Sequence, residues 1–199
     1  MLKDYKKKYN SLSGKFLIAS PNMNDYRFKN TIIYILSDNE EGSMGIIINK
    51  PALNIKLDKI FHDIEPTINI DNGSTPNIFY GGPVALDRGF IIHTNDYKAS
   101  KKIDLLENDL VLSSNKKILQ DILIGNGPSK SIFTIGYSGW DSYQLISEIK
   151  SNSWIEAELD IDLLFSANNE NKWELAMSKV GIKTKKLNNI TFSPDSGSA

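Results

Sequence analysis

Two short stretches hold most of the residues in this chain that could do chemistry. Gly136-Tyr137-Ser138-Gly139-Trp140-Asp141 sets a serine between glycines, and Gly81-Gly82-Pro83 leads through Asp87-Arg88 to His93. The serine invites comparison with the G-x-S-x-G nucleophile elbow. Gly136 and Ser138 fit it, but Trp140 stands where the closing glycine belongs, and the elbow needs that glycine for close helix–strand packing. Both histidines, His62 and His93, precede Ser138, against the chain order of the elbow. Ser138 is therefore expected to pack or cap within a strand-to-helix turn.

His93 ends an apolar run and has Asp87, Arg88 and Asp96 near it in sequence. With two histidines in the chain, a metal centre would need carboxylates for its remaining ligands. Neither H-E-x-x-H nor H-x-H spacing occurs, so a hydrogen-bonded structural histidine is the expectation, and His62 reads as a solvated side chain at a helix end. Gly81-Gly82-Pro83 and Gly125-Asn126-Gly127-Pro128 read as tight turns. A phosphate loop needs Lys then Ser or Thr after its glycines, and Ser129-Lys130 has the reverse order. No cofactor or metal is expected.

Asp87-Arg88 is the charged pair with most promise. Arg88 could hold a carboxylate or phosphate bidentately, or pin a turn through backbone carbonyls, and the structural role is preferred. Tyr137 and Trp140 have amphipathic rings suited to an interface or pocket rim, with core packing as the simpler account. Asp87, Arg88, His93, Tyr137 and Trp140 are thus the candidate ligand or interaction residues. An enzyme reading would need Asp87, Arg88 and His93, with Asp141, to converge in three dimensions.

The elements that must position them are strand-rich. Runs at 15–19, 31–37, 44–49, 77–81, 89–94 and 131–137 hold Ile, Phe, Tyr or Val between Gly, Pro, Asn or Asp, as strands do. The second and third flank Asp38-Asn39-Glu40-Glu41-Gly42-Ser43, which predicts a hairpin with Gly42 at a positive φ. Several runs are continuously apolar, so their strands should be covered on both faces. Helical spacing appears behind Asn54, with Leu57, Ile60, Phe61 and Ile64, and over 114–124, closed by Gly125. It recurs at Leu145, Ile146 and Ile149, with Asp141 as a candidate cap, and over 170–180. Residues 65–76 read as a mobile polar loop.

Read together, these segments resemble the bacterial AlgH/YqgE family. The match begins with Gly14-Lys15-Phe16-Leu17-Ile18-Ala19-Ser20-Pro21 and continues through Asn39-Glu40-Glu41-Gly42-Ser43-Met44-Gly45-Ile46-Ile47-Ile48-Asn49-Lys50-Pro51. The two glycine-bearing stretches follow in the family's order, and Asp162-Leu163-Leu164-Phe165, Trp173 and Val180-Gly181-Ile182 resemble its closing helices. The resemblance implies a cytosolic bacterial protein with a mixed α/β (α+β) fold, one domain built on a curled mixed β-sheet with helices packed around it. It implies a scaffold and no reaction.

Whole-chain composition narrows the classes further. The 199 residues carry 23 Lys and Arg against 24 Asp and Glu, a net charge of -1, so the cationic footprint of a nucleic-acid binder is missing. Tight nucleic-acid binding is not expected. The absence of cysteine excludes disulfides, thiolate metal sites and cysteine nucleophiles. Apolar runs are strand-sized, which argues against a membrane span. The expected organisation is a flexible basic N-terminus (1–13), with Lys6-Lys7-Lys8 as a solvated cluster, a folded domain (14–182) and a partly ordered polar tail (183–199). The expected function is a non-catalytic cytoplasmic binding or interaction module, open to a role in regulation, with an unidentified protein or small-molecule partner.

Overall fold

The computed structural model describes residues 11–52, 78–97 and 104–184. The helix expected behind Asn54, His62, the 65–76 loop, the Lys6-Lys7-Lys8 cluster and the tail beyond Thr184 lie outside the described residues.

Nine strands occur among the described residues: β1 (Phe16–Ala19), β2 (Ile32–Asn39), β3 (Gly42–Ile47), β4 (Ile78–Tyr80), β5 (Val84–Thr94), β6 (Asp104–Leu105), β7 (Leu110–Ser113), β8 (Ser131–Asp141) and β9 (Trp154–Ala157). Eight run in the order β6-β7-β5-β8-β3-β2-β1-β9, and β4 pairs with β8 beside that path. Neighbours are antiparallel except β4 and β8, which are parallel, so the sheet is mixed and open. Four α-helices accompany it among the described residues: α1 (Lys116–Leu123), α2 (Gln144–Lys150), α3 (Ile161–Phe165) and α4 (Lys172–Lys179). None is long and apolar enough to cross a membrane.

The double covering expected of the apolar runs is visible on β2. Ile32, Tyr34 and Leu36 join a core with Phe16, Ile46, Leu163, Leu164, Trp173 and Met177, so α3 and α4 cover one face. Ile33 and Ile35 point into a second core with Leu17, Trp140, Leu145 and Trp154, under α2. A period of two alternates side chains between faces, and here both faces are dry. A third core gathers Ile91, Ile118, Leu119, Leu123 and Phe133 beneath α1. The Asn115 side chain caps α1 by accepting from Lys117 N.

The predicted hairpin is present, with Asn39 paired to Gly42 across Glu40 and Glu41. Two local expectations are corrected. Ser138 does not sit in a strand-to-helix turn, because β8 runs through to Asp141, and its outer half is held by β3: Gly45 pairs with Ser138, and Gly42 with Asp141. Asp141 does not cap α2. Tyr143, at φ 69°, occupies that position, and the Asp141 N–H donates to Gln144 Oε1 at 3.1 Å.

One buried cation ties three elements together. Lys172 is fully buried at the start of α4, and its Nζ donates to the carbonyls of Ile48 at 3.0 Å and Leu164 at 3.1 Å. The same Nζ stands 5.2 Å from the centre of the Phe79 ring. Burial pulls its pKa down to about 8.

Candidate functional site

The two glycine-bearing stretches meet on β8. The first half of β8 pairs with β4 on one flank, and its second half with β3. Where the flank changes partner, Gly81 bridges the halves: its N–H donates to Ile135 O and its carbonyl accepts from Ile47 N, both at 2.8 Å. The Ser138 hydroxyl also donates to Gly81 O, at 3.2 Å, from a position that is 1% exposed. Ser138 thus stitches the two stretches together and offers no accessible nucleophile. Gly82 must be glycine, since its φ is +153° and a Cβ would fall 2.2 Å from the carbonyl carbon of Tyr137.

On the other flank, β5 leaves its register. Val84 pairs with Tyr137 and Gly89 with Ile135, so residues 85–88 oppose Gly136 alone. Such an insertion bends the strand and re-aims its side chains. Ala85 takes φ +50°, and Leu86, Asp87 and Arg88 are exposed. Leu86 leans toward Gly136, its Cδ2 lying 3.0 Å from where a Cβ there would be. The preferred structural role for Asp87 and Arg88 finds no hydrogen bond or ion pair to carry it among the described residues. Both side chains face solvent.

His93 is carried to the far end of β5. Five residues of strand separate it from Arg88, about 16 Å at the usual rise. It is 1% exposed, with Nδ1 2.7 Å from Thr94 O and Nε2 3.1 Å from Ser113 Oγ. Burial holds its pKa below the usual imidazole range. These contacts hold the His93 ring within the fold, toward the opposite end of β5 from Asp87 and Arg88.

A cleft of about 510 Å³ opens where β8, β3 and the tip of β2 adjoin the start of β5. It is lined by Met44, Val84, Tyr137 and Gly139, with Glu41 and Asp141 at its rim. Tyr137, half-buried, packs edge-on to Phe90 with ring centres 6.1 Å apart. Trp140 borders the cleft while its indole belongs to the second core, stacked on Phe28. Glu148 Oε2 accepts from the indole N–H groups of both Trp140 at 3.0 Å and Trp154 at 2.7 Å. Gln144 donates to the remaining oxygen at 2.8 Å, so the strand beneath the cleft is fixed from its buried side.

Gly139 differs from its neighbours. Its φ lies outside the left-handed region, and the nearest atom to a Cβ built there is Tyr137 Cε2 at 3.4 Å, an ordinary contact. Neither backbone conformation nor crowding requires glycine at this exposed strand position. What glycine leaves is an open floor between Met44 and Tyr137.

A second cleft, about 590 Å³, lies at the other end of β5 between Thr94, Asp96, Asp109, Ser129 and Ile161. The Asp96 carboxylate is already satisfied: Thr94 Oγ1 donates to it at 2.7 Å and Ser129 N at 3.1 Å. Hydrogen bonds from Ser129 and Thr94 push the Asp96 pKa down to about 2.

Sequence reasoning found Tyr137 and Trp140 but missed Glu41, Met44 and Gly139 as parts of a site. The hairpin residues belong to the family-like stretch but carry no binding motif, and their place beside β8 follows from long-range pairing. A glycine flanked by aromatic residues was the available signal.

A family model described as AlgH-like matches residues 16–185. A UPF0301 protein of Pseudoalteromonas translucida is 37% identical over 196 residues, covering 95% of this chain and 99% of its own. One of Ruegeria pomeroyi is 36% identical, covering 86% and 92%. The solution structure of the AlgH protein from Pseudomonas aeruginosa superposes with a TM-score of 0.75 at 31% identity, over 93% of this chain and 97% of that one. A Corynebacterium diphtheriae protein shares the fold, with a TM-score of 0.66 at 17% identity. The chain therefore belongs to the AlgH-like family, on the sequence match and on the fold alike.

Proposed function

We propose that this protein is a non-catalytic binding module of the cytoplasm whose ligand enters the cleft over Gly139. The observation that carries the reading is that glycine. In a strand, glycine costs conformational entropy and gives up a packing side chain, so one without a steric or conformational duty points to the space above it. Tyr137 and Val84 frame that space, and both belong to the stretches that distinguish the sequence. The rival acid/base reading loses support from the separation of His93 from Asp87 and Arg88, and from the bonding of Ser138 to Gly81 O.

Residues 14–182 act as the working unit in this proposal. With a net charge of -1 there is no surplus of cations to neutralise phosphates, so nucleic acid is not the intended ligand. A regulatory role would then run through the bound partner.

The test uses Gly139→Val, which suits an exposed strand position and places its methyl groups in the cleft. Its unfolding free energy should lie within about 1 kcal/mol of wild type, as for surface changes that create no clash. Copurification with both proteins as baits, followed by mass spectrometry of retained metabolites and proteins, should show species held by wild type and lost from the variant. Identical retained sets would remove the cleft from the account.

A further inference from the structure

The cleft's form and charge narrow the class of ligand. Small-molecule pockets bury most of their ligand's surface within a concave, enclosed site. This one is a shallow cleft on the sheet, lined at one end by Val84, two residues before the exposed Leu86 on the displaced part of β5. Val84 is 37% exposed and Leu86 54% exposed. Apolar surface continued beyond a cleft in this way suits a longer ligand that reaches out of it.

Charge adds a second constraint. Among the described residues the lining carries two acids, Glu41 and Asp141, both exposed, and neither a lysine nor an arginine. Tyr137 presents a half-buried ring between them and Val84. A guanidinium can lie over an aromatic face and pair with a carboxylate at once, while an ammonium can pair with either acid. An anionic ligand would meet two carboxylates and, among the described lining residues, no compensating cation.

We infer that the cleft receives a polypeptide segment of a partner protein carrying Arg or Lys beside an aliphatic or aromatic side chain. The apolar side chain rests on the Gly139 floor between Met44, Val84 and Tyr137. The basic side chain reaches Glu41 and Asp141, and the flanking residues cover Leu86. The β3–β8 and β5–β8 ladders are already paired here, so recognition comes through side chains and not through an added strand. This inference rests on the reading of the cleft as the binding site.

The experiment is a selection from a random peptide display library on the intact protein at about 150 mM salt, where only close charge pairs escape screening. The best sequence is then synthesised and titrated against wild type, Gly139→Val, Leu86→Ser and the double variant Glu41→Gln/Asp141→Asn. Enriched peptides should place Arg or Lys within two residues of an apolar residue. Affinity should fall about tenfold or more with Gly139→Val, as for loss of an anchor contact. The double variant should weaken binding and flatten its salt dependence. Leu86→Ser should weaken it less. Enrichment of acidic or uncharged peptides that are still lost with Gly139→Val would overturn the basic segment and keep the cleft. Basic peptides that bind Gly139→Val as well as wild type would overturn the cleft. Failure to enrich any peptide over an unrelated control protein would overturn the polypeptide class.

Discussion

The stability of this protein should rise with pH between about 8 and 10, and Lys172→Met should remove most of the rise, the remainder coming from Lys50, whose pKa burial also lowers. The folded Lys172 ammonium titrates at about 8, down from 10.5, because burial disfavours its charge. Below 8 both folded and unfolded chains hold the proton, so the group contributes no slope. Between the two values the unfolded chain is protonated and the fold is not, so stability climbs by about 1.4 kcal/mol per pH unit. Tyr34 and Tyr97 act oppositely at the upper end. Burial leads in pushing each up to about 12, so above pH 10 the unfolded phenols ionise first and stability falls again. At pH 7 the substitution should cost little. It leaves the carbonyls of Ile48 and Leu164 without their donor, at roughly 1–3 kcal/mol each, while removing the burden of a buried charge. Denaturant titrations of both proteins at several pH values check this, and parallel profiles would contradict it.

Gly82→Ala should be among the most damaging single methyl additions. The new Cβ would lie 2.2–2.4 Å from Tyr137 C, Tyr137 O and Ser138 N, all backbone atoms of β8, and φ +153° is strained for any L side chain. None of these atoms can yield without disturbing the pairs that join β8 to β3 and β5. A loss of about 4 kcal/mol is expected, at the upper end of overpacking effects. Gly139→Ala, on the same surface of contact between the two stretches, should stay near zero. Denaturation midpoints at unchanged m-value separate the two, and equal losses would contradict the distinction between a glycine needed for the fold and one kept for space.

The same two stretches show what sequence could and could not reveal. Ile32-Ile33-Tyr34-Ile35-Leu36 announced a strand covered on both faces, because continuous apolarity survives only where both faces are dry. Gly136 to Asp141 read as a turn, since Gly136, Ser138 and Gly139 carry weak strand propensity; long-range pairing with β3 overrides it. The start of β5 was hidden for the same reason, with Pro83, Asp87 and Arg88 disguising a strand that merely bulges. β6, two residues long, falls below any periodic signal, and β7 and β9 are not among the predicted strands either. Nothing in the sequence singles out Lys172 at its helix start, and only the packing of Phe79, Ile48 and Leu164 around it shows its burial. At the cleft, Tyr137 was legible as a ring beside glycines. Glu41 and Met44 were not, because a hairpin's neighbours are chosen by the whole sheet.

Amide chemical-shift mapping with a selected peptide tests the central claim, that the junction of the two stretches is a ligand site. On titration into labelled protein, the largest perturbations should fall on residues 41–44, 84–86 and 137–141, on a single contiguous surface. In Gly139→Val those shifts should vanish at the same peptide concentration while the remaining spectrum is preserved. Perturbations centred instead on the Thr94, Asp96 and Ser129 cleft, or unchanged by Gly139→Val, would contradict the account.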